Sequence, residues 1–246
     1  MMPAVRLFDL SARPRLRAVA PPLAGARNGG RRRGPAIGLL GGSFNPAHEG
    51  HRHISIEALR LLGLDAVWWL VSPQNPLKPR AGMAPLAERL RRAEAVAAHP
   101  RIRVTDIEQR LRTVYTVDTL SRLTSSFEGR FVWLIGADNL LQMARWRRWR
   151  DLVALTPIAV FDRSPYSHAA VASRVATALR GSRLPERRAD RLIEMAPPVW
   201  TYIHLRPHPA SSTALREKTK TDGPDGSAGA HAANMQPETA PYPPIR

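Results

Sequence analysis

The sequence of 246 residues contains no cysteine. This absence excludes disulfide bridges, thiolate metal sites, cysteine nucleophiles and oxidoreductases that use a CxxC pair, while the redox compartment stays open. Long apolar runs are missing as well. The longest, AVWWLV at residues 66–71, has the length of a strand, far below the roughly 20 residues that a membrane-spanning helix needs. We therefore expect a soluble protein without a membrane partner, and we place it in the cytoplasm.

Acidic side chains are also scarce. The chain has 20 Asp and Glu against 37 Lys and Arg, which gives a formal net charge of +17. Such an excess favours partners that carry phosphate, either free nucleotides or nucleic acid polymers. Residues 1–34 contribute +7 of this charge and residues 217–246 contribute −1, so +11 falls on the segment between them. The basic character therefore belongs to the central part of the chain and not only to its ends.

The two terminal segments have few large apolar side chains to bury. We expect residues 1–34 to form a basic, disordered extension, residues 35–218 a single catalytic domain, and residues 219–246 a disordered tail. The first segment is rich in arginine and poor in acids, which is also typical of transit peptides. It shows neither a convincing amphipathic helix nor the apolar region of a secretion signal, so we interpret it as a plain extension.

Between these segments, short apolar runs alternate with helical patterns. The predicted strands are Ala36–Leu40, Ala66–Val71, Ile102–Thr105, Phe131–Ile135, Ile158–Phe161 and Val199–Leu205. The predicted helices lie near residues 50–62, 85–98, 116–125, 139–155 (broken), 168–180 and 212–219. Strands that are continuously apolar and alternate with helices indicate a doubly wound α/β fold, with a parallel sheet covered on both faces.

In such a fold, ligands bind beyond the carboxyl ends of the strands. The loop after the first predicted strand reads GGSFNPAHEGH. Gly41 and Gly42 allow the backbone to approach a ligand closely, and Gly50 opens an amphipathic helix whose first N–H groups attract an anion. His48 and His51 are three residues apart, so both imidazoles project to one side of the first turn. Two imidazoles there can donate hydrogen bonds to phosphoryl oxygens as negative charge develops.

Two histidines three residues apart are also found as half of a metal site or as solvated side chains. HEGH differs from the HExxH of zinc proteases, and no cysteine or nearby third histidine at ligand spacing completes a zinc set. We therefore expect no metal site made by protein side chains.

The loop resembles the GG[TS]F[DN]PxHxGH signature of the nucleotidyltransferase superfamily. The resemblance implies that His48 and His51 act on the nucleotide phosphates and that no covalent intermediate forms on the enzyme. Members of this branch more often have threonine at position 43 and aspartate at position 45. Ser43 keeps the hydroxyl and Asn45 keeps the size.

A second motif, SSTALRE, resembles the ISSTxIR sequence that closes the nucleotide site in this superfamily. The resemblance places Ser212, Thr213 and Arg216 around the triphosphate. A serine or threonine at a helix start caps N–H groups, and an arginine one turn later supplies a cationic fork. The same pattern also fits an ordinary capped helix with a surface arginine, and Ala210 replaces the usual isoleucine.

Two further stretches resemble the nicotinate-nucleotide adenylyltransferase family within the superfamily. In TVYTVDTL, the resemblance implies that Tyr115 and Thr116 hold the nicotinate carboxylate. In IGADNLLQMARW, it places Asp138 beside the nucleotide and Trp146 on the pyridine ring. Taken alone, these residues also fit a helix N-terminus, a helix cap and a core aromatic side chain.

The resemblance implies an enzyme that joins ATP to nicotinate mononucleotide and releases pyrophosphate and nicotinate adenine dinucleotide (deamido-NAD), a step of NAD biosynthesis. Mg²⁺ is expected to arrive with ATP. The implied catalytic residues are His48 and His51. The implied ATP-binding residues are Gly41, Gly42, Ser43, Phe44, Lys78, Gly136, Asp138, Arg163, Ser212, Thr213 and Arg216. The implied residues for nicotinate mononucleotide are Asn75, Tyr115, Thr116 and Trp146.

Three alternatives remain at this point. The acceptor could be nicotinamide mononucleotide or phosphopantetheine, although YTVDTL and Trp146 argue against the latter. The net charge and the cluster RWRRWR at residues 145–150 also fit a nucleic-acid-binding module, but a solvated helix face explains these arginines and no known RNA- or DNA-binding motif is present. An inactive interaction protein on the same fold is the third.

Overall fold

A computed structural model describes residues 34–74, 81–162 and 167–205. Seven strands form one sheet: β1 Ala36–Gly42, β2 Ala66–Val71, β3 Ile102–Thr105, β4 Arg130–Gly136, β5 Ile158–Phe161, β6 Arg183–Leu184 and β7 Trp200–Ile203. The α-helices are α1 Glu49–Leu61, α2 Leu86–Ala97, α3 Ile107–Arg110, α4 Thr116–Ser126, α5 Ala137–Gln142, α6 Trp149–Leu155, α7 Ser167–Val171 and α8 Arg174–Ala178. Short 3₁₀ helices cover Met143–Arg145, Arg180–Ser182 and Glu186–Glu194.

The sheet is parallel throughout, in the order β3-β2-β1-β4-β5-β7-β6. In its centre, Leu39 of β1 lies opposite Trp68 of β2 on one side and Trp133 of β4 on the other. All six strands expected from the apolar runs are present. Parallel strands buried on both faces require apolar residues at consecutive positions, which is why these runs identified them.

Helices cover both faces of the sheet and enclose a separate core on each. Alternate residues of β1 enter different cores: Leu40 packs with α1 and α2, whereas Ile37 and Leu39 pack with α4, α5 and α6. The same alternation holds in β4, where Leu134 and Ile135 enter opposite cores. The doubly wound architecture is therefore confirmed.

The chain order creates a crevice at the carboxyl ends of β1 and β4. From β1 the chain proceeds to β2 and β3 on one side, and then returns to β4 on the other side of β1. The helices that follow these two neighbouring strands, α1 and α5, lie on opposite faces. Adjacent strands whose connections diverge in this way leave room for a ligand between them.

Four elements escaped the pattern analysis: α3, β6 and the 3₁₀ helices Arg180–Ser182 and Glu186–Glu194. The first two are too short, at four and two residues, to show a period. The segment expected as one broken helix divides into α5, a 3₁₀ turn and α6, with Arg148 before α6 in the left-handed region at φ 50°. The expected helix at residues 212–219 and both terminal segments lie outside the described residues. Among the helices that are described, none has the length and apolarity to cross a membrane.

Gly41 near the end of β1 leaves space for an aromatic ring from β4. A Cβ atom at Gly41 would lie 2.4 Å from the ring of Trp133, a side chain that is 2% exposed. At the adjacent Gly42, a Cβ atom would meet the Phe44 ring at 3.4 Å, which is ordinary contact. The packing of the sheet therefore accounts for Gly41 without a ligand.

We expect Gly41→Ala to lower the free energy of unfolding by about 1–3 kcal/mol, because the buried indole has to shift. Gly42→Ala is the matched control and should lower it by less. Urea unfolding of the two variants measures the difference. Equal stability of the two variants would contradict this role of Gly41.

Candidate active site

His48 and His51 surround the start of α1. His48 is the residue before the first turn and has an extended backbone, and its Nδ1 accepts a hydrogen bond from the N–H of Gly50 at 3.1 Å. The Nδ1 of His51 accepts from the N–H of His48 at 3.2 Å. The two side chains thus form a reciprocal cap of the kind that serine and glutamate usually make. Their ring centroids are 3.8 Å apart.

This cap determines which nitrogen of each ring carries hydrogen. An Nδ1 atom that accepts an N–H bond has no hydrogen of its own, so in a neutral imidazole the hydrogen is on Nε2. Both rings therefore present an Nε2–H donor while the Nδ1 atoms hold the backbone. His48 is buried and His51 is half-buried. The expected pairing of two imidazoles at a helix start is present in the structure.

Phe44 supports the His51 ring from behind. Its ring is 2% exposed and lies 4.7 Å from His51 and 5.0 Å, stacked, from Trp69. The Trp69 Nε1–H donates to the Ser55 hydroxyl at 2.8 Å, and that hydroxyl donates to the His51 carbonyl at 2.8 Å. Phe44 has φ 47°, a region that bulky residues adopt only when their surroundings impose it. Because the Phe44 ring is buried, an ATP contact of this residue has to involve its main chain.

The loop between β1 and α1 also presents a buried hydroxyl. Ser43 is 7% exposed, and its Oγ makes no hydrogen bond within the described ranges 34–74, 81–162 and 167–205. A buried polar atom left this way costs free energy unless a ligand or water satisfies it. Ser43 therefore fits its expected place among the ATP-binding residues.

Asn45 fixes the same loop to residues 82–84. Its Nδ2 donates to the Gly82 carbonyl at 2.9 Å, and its Oδ1 accepts from the Ala84 N–H at 3.2 Å. An aspartate at position 45 could accept the second bond but could not donate the first. The departure from the superfamily pattern at this position therefore has a structural use here.

On the other side of the crevice, β4 ends at Gly136 and α5 begins at Ala137. Gly136 is buried and caps α5 without a side-chain bond, and Asp138 lies half-buried in the first turn. Both expected nucleotide contacts therefore lie at the carboxyl end of the strand beside β1. Among the residues described, no three histidine, aspartate or glutamate side chains are grouped to hold a metal ion.

Tyr115 and Thr116 mark the start of α4, where Tyr115 caps the helix with an extended backbone. Both are half-buried, as is Trp146, which ends the 3₁₀ turn after α5. Tyr115 and Trp146 pack against the same core, the one formed by α4, α5 and α6. The two elements expected to bind the acceptor thus lie on one face of the sheet, and their contacts with it stay a prediction.

The arginines of RWRRWR serve the protein's own surface. Arg147 lies 4.6 Å above the Tyr115 ring, Arg148 bonds to Asp151 at 2.7 Å, and all four arginines of the cluster are exposed. Trp149 is 7% exposed and belongs to the core. Of the two tryptophans in the cluster, Trp149 is therefore no platform for stacking bases, whereas Trp146 is half-buried. The arginines form a solvated face.

Two buried charged residues near the loops were not expected from the sequence. Arg89 of α2 is 1% exposed, and Glu108 of α3 is 6% exposed. Arg89 occupies the apolar stripe of α2 together with Leu86, Ala93 and Ala97, and this position in the stripe is the signal that could have identified it. Glu108 belongs to a helix of four residues, which is too short to show a stripe.

Glu108 is held next to the loop after β2. Burial raises the pKa of Glu108 to about 7, against an opposing hydrogen bond with Ser72. The Ser72 hydroxyl also lies 3.0 Å from the Gln74 carbonyl, to which it donates its single hydrogen when it does not donate to the Glu108 carboxylate. The carbonyl of Glu108 accepts from the Thr113 N–H at 2.9 Å, close to Tyr115.

Several expected site residues lie outside the described part of the chain. These are Asn75, Lys78, Arg163, Ser212, Thr213 and Arg216. Their placement stays a prediction.

The model of the cytidylyltransferase-like family matches residues 39–218. A protein of Parvibaculum lavamentivorans named "Probable nicotinate-nucleotide adenylyltransferase" is 54% identical over 75% of this chain and 92% of its own length. A protein of the same name from Roseobacter denitrificans is 48% identical over 76% of this chain and 94% of its own length. The chain belongs to the nicotinate-nucleotide adenylyltransferase family. The resemblance of its loops to that family is thereby confirmed.

A solved structure shares the fold of this family member. The Plasmodium falciparum nicotinic acid mononucleotide adenylyltransferase, described as complexed with NaAD, aligns with a TM-score of 0.57 over 74% of this chain and 83% of its own. The sequence identity of 15% limits this likeness to the fold. It agrees with the doubly wound sheet described above.

Glu108 makes the stability of the protein depend on pH. Because its pKa rises from 4.5 to about 7 on folding, the folded state keeps a proton that the unfolded chain loses. The contribution of Glu108 to the free energy of unfolding is fully present below pH 4.5 and is lost as the pH rises through about 7. The free energy of unfolding falls by up to about 3 kcal/mol over this range. We expect Glu108→Gln, which stays neutral, to remove this decline when urea unfolding is measured from pH 4.5 to 8.

Glu94→Gln on the exposed side of α2 serves as the control. It should reproduce the pH dependence of the unchanged protein. A decline of the same size in Glu108→Gln would show that Glu108 is not its source.

Proposed function

We propose that this protein joins ATP to nicotinate mononucleotide and releases pyrophosphate and nicotinate adenine dinucleotide. The observation that carries the proposal is the His48–His51 cap at the start of α1, the helix that follows β1, in which both Nδ1 atoms accept backbone hydrogen bonds and the hydrogen of each neutral ring is on Nε2. Its relatives in the family support the choice of acceptor. The proposed compartment is the cytoplasm, where the substrates of NAD biosynthesis are available.

The chemistry is an in-line attack by the acceptor phosphate on the α-phosphorus of ATP. The bond between the α-phosphorus and the bridging oxygen breaks, and the pyrophosphate leaves with that oxygen. Such a reaction needs positioning and neutralisation of charge more than proton transfer. His48 and His51 donate to the α- and β-phosphate oxygens, and the start of α1 adds its positive dipole end.

The remaining nucleotide contacts follow from the two sides of the crevice. On the β1 side, the Ser43 hydroxyl and the main chain from Gly41 to Phe44 approach the phosphates, and on the β4 side Gly136 and Asp138 bind the nucleoside. The proposal extends to Lys78, Arg163, Ser212, Thr213 and Arg216, which lie outside the described residues and carry polar or cationic groups suited to a triphosphate.

On the acceptor side, Tyr115 and Thr116 bind the nicotinate carboxylate at the start of α4, with Trp146 against the pyridine ring. The proposal also assigns Asn75, which lies outside the described residues, to nicotinate mononucleotide. A helix start favours a carboxylate because its first N–H groups are unsatisfied. Mg²⁺ enters as part of the MgATP substrate and is held by the phosphate oxygens.

The direct test is pyrophosphate release from ATP. The rate should depend on nicotinate mononucleotide and exceed the rates with nicotinamide mononucleotide and with phosphopantetheine. If neither nicotinate mononucleotide nor nicotinamide mononucleotide supports pyrophosphate release, the proposal is overturned. A higher rate with nicotinamide mononucleotide would move the acceptor assignment to that nucleotide.

The two functions of His51 can be separated by substitution. In His51→Asn, the side-chain oxygen can accept the His48 N–H as Nδ1 does, but the donor at Nε2 is lost. We expect a fold of unchanged stability and a kcat lower by ~10²- to 10³-fold. His51→Gln, whose side-chain amide reaches the position of Nε2, should retain more of the rate. A normal kcat in His51→Asn would remove this residue from the mechanism.

Trp146 should affect one substrate more than the other. We expect Trp146→Ala to weaken the binding of nicotinate mononucleotide by about 1–3 kcal/mol, because a stacking contact with the pyridine ring is lost. Binding of ATP should change less, and Trp146→Phe should restore most of the loss. Titration calorimetry with each substrate measures both effects. Equal losses for the two substrates would contradict the stacking.

A further inference from the structure

Arg89 is a buried cation whose hydrogen bonds go to backbone carbonyls of the active-site loops. NH1 donates to two carbonyls: its nitrogen lies 2.6 Å from the Ser43 oxygen and 2.7 Å from the Ser72 oxygen. NH2 donates to the Pro73 carbonyl at 3.0 Å, and Nε donates to the Ala84 carbonyl at 2.9 Å. Four of its five N–H donors are thus used. Among the described residues its hydrogen-bond partners are all backbone carbonyls and none is a carboxylate, so the loops themselves solvate its charge.

These four carbonyls belong to three separate stretches of chain. Ser43 follows β1, Ser72 and Pro73 follow β2, and Ala84 precedes α2. The first two stretches leave the sheet together, since the Ser72 N–H still donates to the Gly42 carbonyl at 2.9 Å. One residue further along each stretch, the Arg89 guanidinium bridges the Ser43 and Ser72 carbonyls.

We propose that Arg89 is a positioning residue of the nucleotide site, which acts by holding the loop after β1 against the loop after β2. The role rests on the proposed function, because it concerns how that site is kept in place for ATP. Its effect passes through Ser43: the carbonyl of this residue is fixed by Arg89, and its buried hydroxyl is the group expected to meet a phosphate oxygen.

The geometry makes the guanidinium hard to replace. Four carbonyls in three stretches require a planar fork with donors on different sides, whereas a lysine has three donors on one atom. Burial lowers the pKa of Arg89 without a compensating acidic partner. A cation kept under these conditions also adds positive potential beneath the loop on which ATP phosphates are expected.

The test uses the full-length protein with Arg89→Met, Arg89→Lys and Thr201→Val. Thr201 is the control because it is 0% exposed and its hydroxyl bonds to the Leu184 carbonyl at 3.0 Å, far along the sheet. All three are assayed at a temperature where circular dichroism shows them folded. If Arg89→Met does not fold, Arg89→Lys decides the outcome.

The first readout needs no activity. Hydrogen exchange of the free protein should rise ~10-fold or more in peptides covering residues 42–47, 70–74 and 81–85 of the Arg89 variants, and stay unchanged at residues 130–136. Thr201→Val should leave the loop peptides unchanged. An equal rise over the whole sheet, or no rise in the loops, would overturn the proposal.

The second readout is kinetic. We expect kcat/KM for ATP to fall by ~10- to 100-fold in both Arg89 variants, with a smaller change in KM for nicotinate mononucleotide. Thr201→Val should keep the constants of the unchanged protein. Normal constants in a folded Arg89 variant would contradict the role. Failure of the proposed function would give a different result, because the unchanged protein itself would then release no pyrophosphate. The hydrogen-exchange experiment would still test the role of Arg89 in that case.

Discussion

The reciprocal cap at the start of α1 is the interaction on which the candidate site depends. A helix begins with N–H groups that have no partner inside the helix, and here two imidazoles satisfy part of that demand with their Nδ1 atoms. The same bonds orient both rings and assign the hydrogen of each neutral ring to Nε2. In the proposed mechanism, the arrangement of His48 and His51 that caps the helix is also the one that binds the phosphate oxygens.

Packing and hydrogen bonds from several segments hold this cap in place. The rings of Phe44 and Trp69 stack on each other, and the Phe44 ring lies against His51. Ser55 links the indole of Trp69 to the His51 carbonyl. On the outer side, Asn45 and Arg89 fasten the loop to neighbouring stretches of chain. Preorganised donors of this kind are effective in catalysis because they need no rearrangement when charge develops.

The sequence allowed much of the fold and the centre of the site to be predicted. Buried parallel strands show as apolar runs, and the paired histidines follow the first of them, so the order of elements located the crevice. The motif residues Tyr115, Asp138 and Trp146 were identified through the resemblance and not through any pattern of their own.

The supporting residues could not be predicted, because their roles depend on contacts between distant segments. Arg89 joins positions 46, 17, 16 and 5 residues away, and no local pattern encodes such partners. Glu108 is buried beside Ser72 of the loop after β2, and the need for glycine at position 41 arises from an indole on the neighbouring strand. Tertiary packing decided each of these.

The hydrogen positions on the two imidazoles provide the most direct test of this account. Long-range ¹⁵N–¹H NMR of the histidine rings should find His48 and His51 neutral at pH 8 with hydrogen on Nε2, and saturating MgATP should shift both Nε2 resonances. Hydrogen on Nδ1 of either ring, or resonances that do not respond to MgATP, would contradict it.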